Sequence, residues 1–418
     1  MFSRYRNRNR NRNRNRNNSL NHNIKKSKLT MLLALAPFGL AACGGGGGGG
    51  DYMAPSLTAP TAIPFPPADY SAVDAAFQEF LDNHEVLDGI SYTLVDKEGT
   101  THQAVFGDHT EDLVTILAST SKVPAVMAIL ALDDDPSVDF SISEPVSEYL
   151  PFGGIYADRT VEQMISNTSG IPGLRVTLSP AYIASGGVHN CQATSQPFMT
   201  FEGCGQLLVS TELPTTHPAG SIFDYGGSQW QVAGVTASVA NNSSWNQLFD
   251  EYLGAPCDLD VFTFGNPYEE LIYSGFTYTS FDGTPASLVG QHNPNIEGGG
   301  ITNLSDYARL LQVLLNGGYC GSSQVLSQAS IDSMFADKGS AVPINPTPYG
   351  MGWWISTESP GLYTDGGMFG AVSFIDLNTG IGGFIAIDDY SRRASGQGSA
   401  ILRTALPLIQ EAVRARYE

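Results

Sequence analysis

The chain has 418 residues, too many for one small domain and enough for one large two-lobed unit or two domains. Its net charge is −20, and ten of its 21 basic residues fall in the first 43 positions with no acid among them, so the remainder holds 11 basic against 41 acidic residues, a net of about −30. A surface of that sign repels nucleic acid and anionic lipid, which excludes a nucleic-acid partner for the body and says nothing about its fold.

Residues 1–43 read as an export signal. Arg6 through Arg16 alternate with asparagine, Lys25, Lys26 and Lys28 follow, and Leu29 to Leu40 is an apolar segment too short to span a bilayer, ending Leu40-Ala41-Ala42-Cys43. With Cys43 at the cleavage point the segment resembles a bacterial lipoprotein signal. That resemblance implies a lipid anchor on Cys43, with Gly44 carrying no inner-membrane retention signal of the aspartate kind; an ordinary signal peptide cut nearby is the alternative. Residues 44–68, from the run Gly44–Gly50 through Pro55, Pro60, Pro64, Pro66 and Pro67, read as a tether without a core-forming pattern.

The body is expected over 69–418. Ser71 to His84 has apolar residues at helical spacing, and Ile90 to Val95 and Gln103 to Phe106 flank Lys97-Glu98-Gly99 as a hairpin. Next comes Ala118-Ser119-Thr120-Ser121-Lys122 and the apolar run Val123 to Leu132. If that run is a helix, Ser119 and Lys122 share a face of its first turn, hydroxyl beside amine. Pro124 is tolerated only near a helix start and supports this placement. A serine hydroxyl needs a base to become a nucleophile, and a lysine serves if the helix dipole and a partly dry pocket lower its pKa. Alone, Ser-x-x-Lys is a weak motif.

From about 133 to 330 the chain is loop-rich with short helical patterns, a mostly helical insert: Val161 to Ser166, Gln206 to Val209, Ser228 to Val239, Trp245 to Tyr252 and Ser305 to Leu315. Asp133-Asp134-Asp135 before Pro136 reads as an acidic turn and not a metal site. Strands return at Trp353 to Ser356, Ala371 to Asp376 and Ile381 to Ile387, and a helix from about Ala400 to Arg416 closes the chain. Strands from both ends around a helical insert predict an α/β (α+β) domain with an antiparallel sheet flanked by helices. Cys191, Cys204, Cys257 and Cys320 allow three disulfide pairings in an exported chain. Cys191 with Cys204, which bracket one loop, and Cys257 with Cys320 are favoured over a zinc site, for which no CxxC or His-x-x-x-His exists. No cofactor or metal is called for.

Taken together, residues 70 to 415 resemble the superfamily of serine β-lactamases, penicillin-binding proteins and family VIII esterases. Ser119-Thr120-Ser121-Lys122 is the first element. Gly220-Ser221-Ile222-Phe223-Asp224-Tyr225-Gly226-Gly227 is similar to that family's Gly-x-x-Phe-x-Tyr-x-Asn loop. Pro145 to Pro151, Thr160 to Pro172, Gly299-Gly300-Ile301 with Asp306, and Tyr349 to Trp353 match in order. Aligning Gly370 with the glycine that closes the family's Lys/His-x-Gly strand puts Thr364-Asp365-Gly366 at the third element and Gly367 next.

The resemblance implies a β-lactamase/transpeptidase-like fold and an acyl-enzyme. Ser119 is the expected nucleophile, Lys122 and Tyr225 share its proton, and the amides of Ser119 and Gly367 form the oxyanion hole. Thr364, Asp365, Gly366 and Gly227 are the further substrate-side candidates. The departures are Thr364 for a cation or tryptophan, Gly227 for asparagine, and Asn167 where many members have histidine. Without the cation, and with Asp365 beside it, a substrate carboxylate is disfavoured and a small neutral ester or amide is expected. A D-amino-acid peptidase or amidase, a β-lactamase-like activity, and a non-catalytic envelope-binding protein are the competing readings. The Gly-x-Ser-x-Gly elbow of another esterase class is absent. Oligomeric state is left open.

Overall fold

A computed structural model describes residues 66–152, 154–193, 199–268, 281–390 and 394–417. The expected signal, Cys43 and nearly all of the tether lie outside the described residues.

The sheet is six-stranded and wholly antiparallel. The hairpin of Gly89–Asp96 and Gly99–Gly107 turns where the sequence signal lies, with Gly99 at φ 136°, a conformation open to glycine. The first hairpin strand pairs with Ile381–Ala386, which continues through Val372–Asp376 and Leu362–Gly366 to Trp354–Ile355. Residues 295 positions apart, Ser91 and Ala386, are thereby neighbours, and the first and last parts of the chain build one sheet.

Strand alternation gives the sheet two apolar faces. One, with Tyr92, Leu94, Phe374 and Ile385, packs on Ser71–Asp82 and Gln397–Ala415, the two terminal helices, through Val73, Phe77, Ile401 and Ile409. The other, with Val95, Ile375 and Phe384, packs on Leu304–Leu315 and on the larger core around Lys122–Asp133. That last helix is buried from Lys122 to Leu132. A helix apolar all round has no solvent face and sits between layers. The two layers on the sheet and the helical segments between Asp133 and Leu315 give the mixed α and β architecture expected.

Both favoured disulfides are formed, Cys191–Cys204 and Cys257–Cys320. The acidic run after the buried helix is a turn: Asp135 accepts from the Ser137 amide at 2.9 Å, and among the described residues no cluster of metal-ligating side chains exists. Elements that the periodicity did not reveal are short. They include Gln328–Phe335 and the three-stranded ribbon of Thr115–Ile116, Gly300–Thr302 and Thr263–Phe264. Among the described residues no helix is long and apolar enough to cross a membrane.

Candidate active site

Ser119 lies in the tight turn Ala118–Ser121 that leads into the buried helix, and unlike its neighbours it keeps access to solvent. The turn is tied down from both sides. Leu117 N–H donates to the Gly300 carbonyl and Gly300 N–H to Ser121 Oγ, each at 2.9 Å, while the Tyr307 hydroxyl donates to the Thr120 carbonyl at 3.0 Å. These ties hold Ala118 at φ 49°, a left-handed conformation costing about 1 kcal/mol for a residue with a Cβ. Backbone strain of this kind clusters at functional turns, and here it stands directly before the candidate Ser119.

Lys122 is fully buried and its ammonium has a defined set of neighbours. Nζ lies 3.2 Å from Ser119 Oγ, 3.0 Å from the Glu297 carbonyl and 3.3 Å from the Glu297 carboxylate. It also stands 4.7 Å from the centre of the Tyr225 ring. The three residues expected together, Ser119, Lys122 and Tyr225, therefore meet, and a fourth, Glu297, meets them.

The Tyr225 loop owes its shape to Asn167, itself at φ 61°. Asn167 Oδ1 accepts from the Gly226 amide and from Trp230 Nε1, both at 2.8 Å. Gly226 and Gly227 follow at φ 69° and 82°, which turns the chain into the helix Ser228–Ala240. The Tyr225 ring packs 4.9 Å from Trp354 and 6.0 Å from Tyr349, centre to centre.

Charge in this cluster differs from the expectation for Lys122. Burial alone would pull its pKa down; Tyr225, Glu297 and Asp365 oppose burial and the net direction is upward, and since Tyr225 and Asp365 are themselves held protonated, the charge that keeps Lys122 an ammonium is the Glu297 carboxylate. The resting state is thus an ammonium paired with the Glu297 carboxylate, not a free amine. Burial pushes the Tyr225 phenol up, and Lys122 and the nearby Ser119 hydroxyl pull it partly back. Burial also raises Glu297, against Lys122 and the Gly227 amide, which donates to its Oε2 at 2.8 Å.

The third element needs correcting position by position. In the strand Leu362–Gly366, Thr364 pairs with Phe374 and so lies on the face toward the terminal helices, away from Ser119. Asp365 pairs with Ser373 on the inner face and is fully buried. Neither Asp365 oxygen has a partner in hydrogen-bond geometry, and burial raises its pKa well above the usual range, with Lys122 and the Val123 amide opposing. Burial favours the protonated, uncharged form of a carboxyl so placed, and the side chain is not among the residues that line the cleft. Gly366 faces the closing helix, where a Cβ would stand 3.4 Å from Ser399 Oγ.

Gly367 does approach the nucleophile turn, since a Cβ there would strike the Leu117 carbonyl. Its N–H is already committed to the Ala371 carbonyl at 2.7 Å, so it is not an oxyanion donor. The next amide, of Met368, has no acceptor among the described residues, and Met368 lines the cleft with Ser119. Gly227 is likewise not a cleft residue. At φ 82° with a Cβ position 2.8 Å from the Pro172 carbonyl, it has no room for the family's asparagine.

The cleft above Ser119 is narrow, with a volume of about 40 Å³. Leu174, Leu178, Ala193 and Met368 supply apolar walls, Tyr268 and Glu297 polar edges, and among the described lining residues there is no basic side chain. Sequence reasoning missed Glu297 and Met368. Glu297 had a signal: a lone acid immediately before Gly298-Gly299-Gly300, in a segment that leads into a short strand.

A family model described as Beta-lactamase matches residues 73–404, well over half of the chain. The chain belongs to the beta-lactamase family. No curated protein matches the sequence. Solved structures of beta-lactamase-like proteins share the fold. EstCE1, described as a hydrolase with promiscuous acyltransferase activity, is 16% identical, covers 82% of this chain and 98% of its own, and has a TM-score of 0.62. A family VIII carboxylesterase is 18% identical, with 81% and 97% covered and a TM-score of 0.59. A penicillin-binding protein homolog from Caulobacter crescentus is 17% identical, with 80% and 97% covered and a TM-score of 0.58. At these identities the likeness concerns the fold.

Proposed function

We propose that this beta-lactamase family member is a serine hydrolase that forms an acyl-enzyme on Ser119 and takes a neutral ester, with a neutral amide as second choice. The observation that carries this reading is the 3.2 Å contact of Lys122 Nζ with a solvent-reachable Ser119 hydroxyl at the foot of a cleft. Ser119 Oγ attacks the carbonyl carbon while its proton passes to the Lys122–Tyr225 pair, whose ammonium must first give up a proton to a neighbouring acceptor. The same pair protonates the departing oxygen, and water then cleaves the acyl-enzyme. The carbonyl oxygen is received by the Ser119 amide, one of the unpaired N–H groups that open a helical turn, and by the Met368 amide.

Apolar walls, the Glu297 carboxylate and the lack of a basic residue among the described lining all favour an uncharged acyl group. We further propose that the chain is exported and held at the bacterial envelope through a lipid on Cys43, with residues 44–68 as tether. Purified protein should hydrolyse p-nitrophenyl butyrate and be labelled by a fluorophosphonate, and Ser119→Ala should lose both. Esters should react fastest in a panel with D-peptides and a cephalosporin, which should be slowest or inert. No hydrolysis and no Ser119-dependent labelling would leave a binding protein; a cephalosporin as best substrate would overturn the neutral-substrate reading.

A further inference from the structure

Glu297 belongs to none of the motifs that led to Ser119, yet it makes the closest charge contact in the site. The geometry points to Glu297 as the residue that holds the catalytic proton: it takes a proton from Lys122 so that the freed amine can deprotonate Ser119. This rests on the serine hydrolase reading and adds to it a positioning residue that acts through Lys122.

The need for such a residue follows from the charges. Lys122 is an ammonium at rest, and an ammonium cannot accept the serine proton. Something within reach must first remove one of its protons. Among the described residues the titratable groups and hydroxyls that face Nζ are Ser119, Tyr225, Glu297 and, from the strand beneath, Asp365; Tyr349 stands behind Tyr225. Tyr225 has a raised pKa and is itself protonated, and burial keeps Asp365 protonated. Only the Glu297 carboxylate, 3.3 Å away, is left to accept. Burial raises its proton affinity, the direction that an acceptor needs, while the same carboxylate raises that of Lys122.

The carboxylate is also fixed in place. Gly227 N–H donates to Oε2, and the Glu297 carbonyl holds the same Nζ at 3.0 Å, so one residue grips the lysine at two points. The steps balance. One proton moves from Nζ to the carboxylate; the amine takes the Ser119 proton as the Oγ–C bond forms; Lys122 protonates the leaving oxygen as its bond to carbon breaks; and the carboxyl returns its proton to the amine. The active pair therefore carries one proton fewer than its fully protonated form, and the loss of that proton sets the acidic limb of the rate profile.

The test is the pH dependence of kcat/KM for p-nitrophenyl butyrate in wild type, Glu297→Gln and Glu297→Asp, with folding checked by circular dichroism. In Glu297→Gln the base is Lys122 alone, so the acidic limb should move at least one unit toward alkaline pH. Activity should fall tenfold or more near pH 6 and recover near pH 9. Glu297→Asp should keep the wild-type limb with a lower plateau. A Gln variant whose limb stays in place, whether its rate is uniformly lower or unchanged, overturns the inference.

Should wild type show neither hydrolysis nor Ser119-dependent labelling, the hydrolase reading falls with it. If both are present and the limb does not move, this inference falls alone.

Discussion

Replacing Asp365 by asparagine should remove a pH-dependent burden on stability that the buried carboxyl imposes. The amide has the same shape and stays in the same slot between the strand and the nucleophile helix, but it cannot ionise. In the wild type the folded-state pKa is raised well above the unfolded value, chiefly by burial. The folded chain thus keeps a proton that the unfolded chain releases. For a group of this kind the favourable contribution is fully present below the unfolded pKa, about 3.9, and is lost as pH rises toward the folded one.

The loss runs at about 1.4 kcal/mol for each pH unit in that window. An unpaired amide in the same place costs about 1–3 kcal/mol at every pH, because it is neutral throughout. Subtracting the wild-type unfolding free energy from that of Asp365→Asn should therefore give a line flat below about pH 4 that climbs with the stated slope above it. Urea titrations from pH 3.5 to 8 measure both curves, and distant titrating groups cancel in the difference. Parallel curves over the whole range would refute the assignment of a buried, neutral Asp365.

Asp388 offers a second titration with a defined window. Burial pushes its pKa up to about 6, with the Tyr390 and Thr115 hydroxyls pulling it down. Its contribution is present below about pH 4 and lost by about pH 6, up to about 3 kcal/mol. Asp388→Asn should accordingly raise the urea midpoint at pH 7 and leave it unchanged or lower at pH 4. Gly227→Asn, which supplies the family residue, should lower stability by about 2 kcal/mol or more without creating cephalosporin turnover, because the Pro172 carbonyl occupies the space at φ 82°; thermal melting checks it, and an unshifted midpoint counts against the steric account. Removing the Cys257–Cys320 bridge, with a sequence separation of 63, should cost about 4 kcal/mol, and removing Cys191–Cys204, with a separation of 13, about 3 kcal/mol. Serine pairs in denaturant titrations test that order.

The extent to which each part was legible in the sequence follows from how local its cause is. The helix from Lys122, the hairpin around Gly99 and the closing helix are written in periodicity and turn chemistry, which depend on neighbours a few residues away. The spacing of Ser119 and Lys122 is equally local, so one helical turn was enough to bring hydroxyl and amine together. Tyr225 was legible only through the order of its loop motif, since the 4.7 Å approach of Lys122 to its ring requires the Asn167 carbonyl and the two glycines to bend that loop.

What failed was everything that depends on which face of a strand a residue takes. A one-residue difference in alignment moved the inward position from Thr364 to Asp365 and the free amide beside the cleft from Gly367 to Met368, because side chains alternate with a period of two. Only pairing with Phe374 and Ser373 decides that parity. The direction of the Lys122 shift was also out of reach. Its cause is Glu297, 175 positions away in the chain and 3.3 Å away in space. By itself the sequence determined the main elements and the placing of Ser119 beside Lys122, since each follows from interactions within a turn. The tertiary structure alone decided the protonation state of that lysine, because the charge of a buried group is set by the groups packed around it in space and not by its neighbours along the chain.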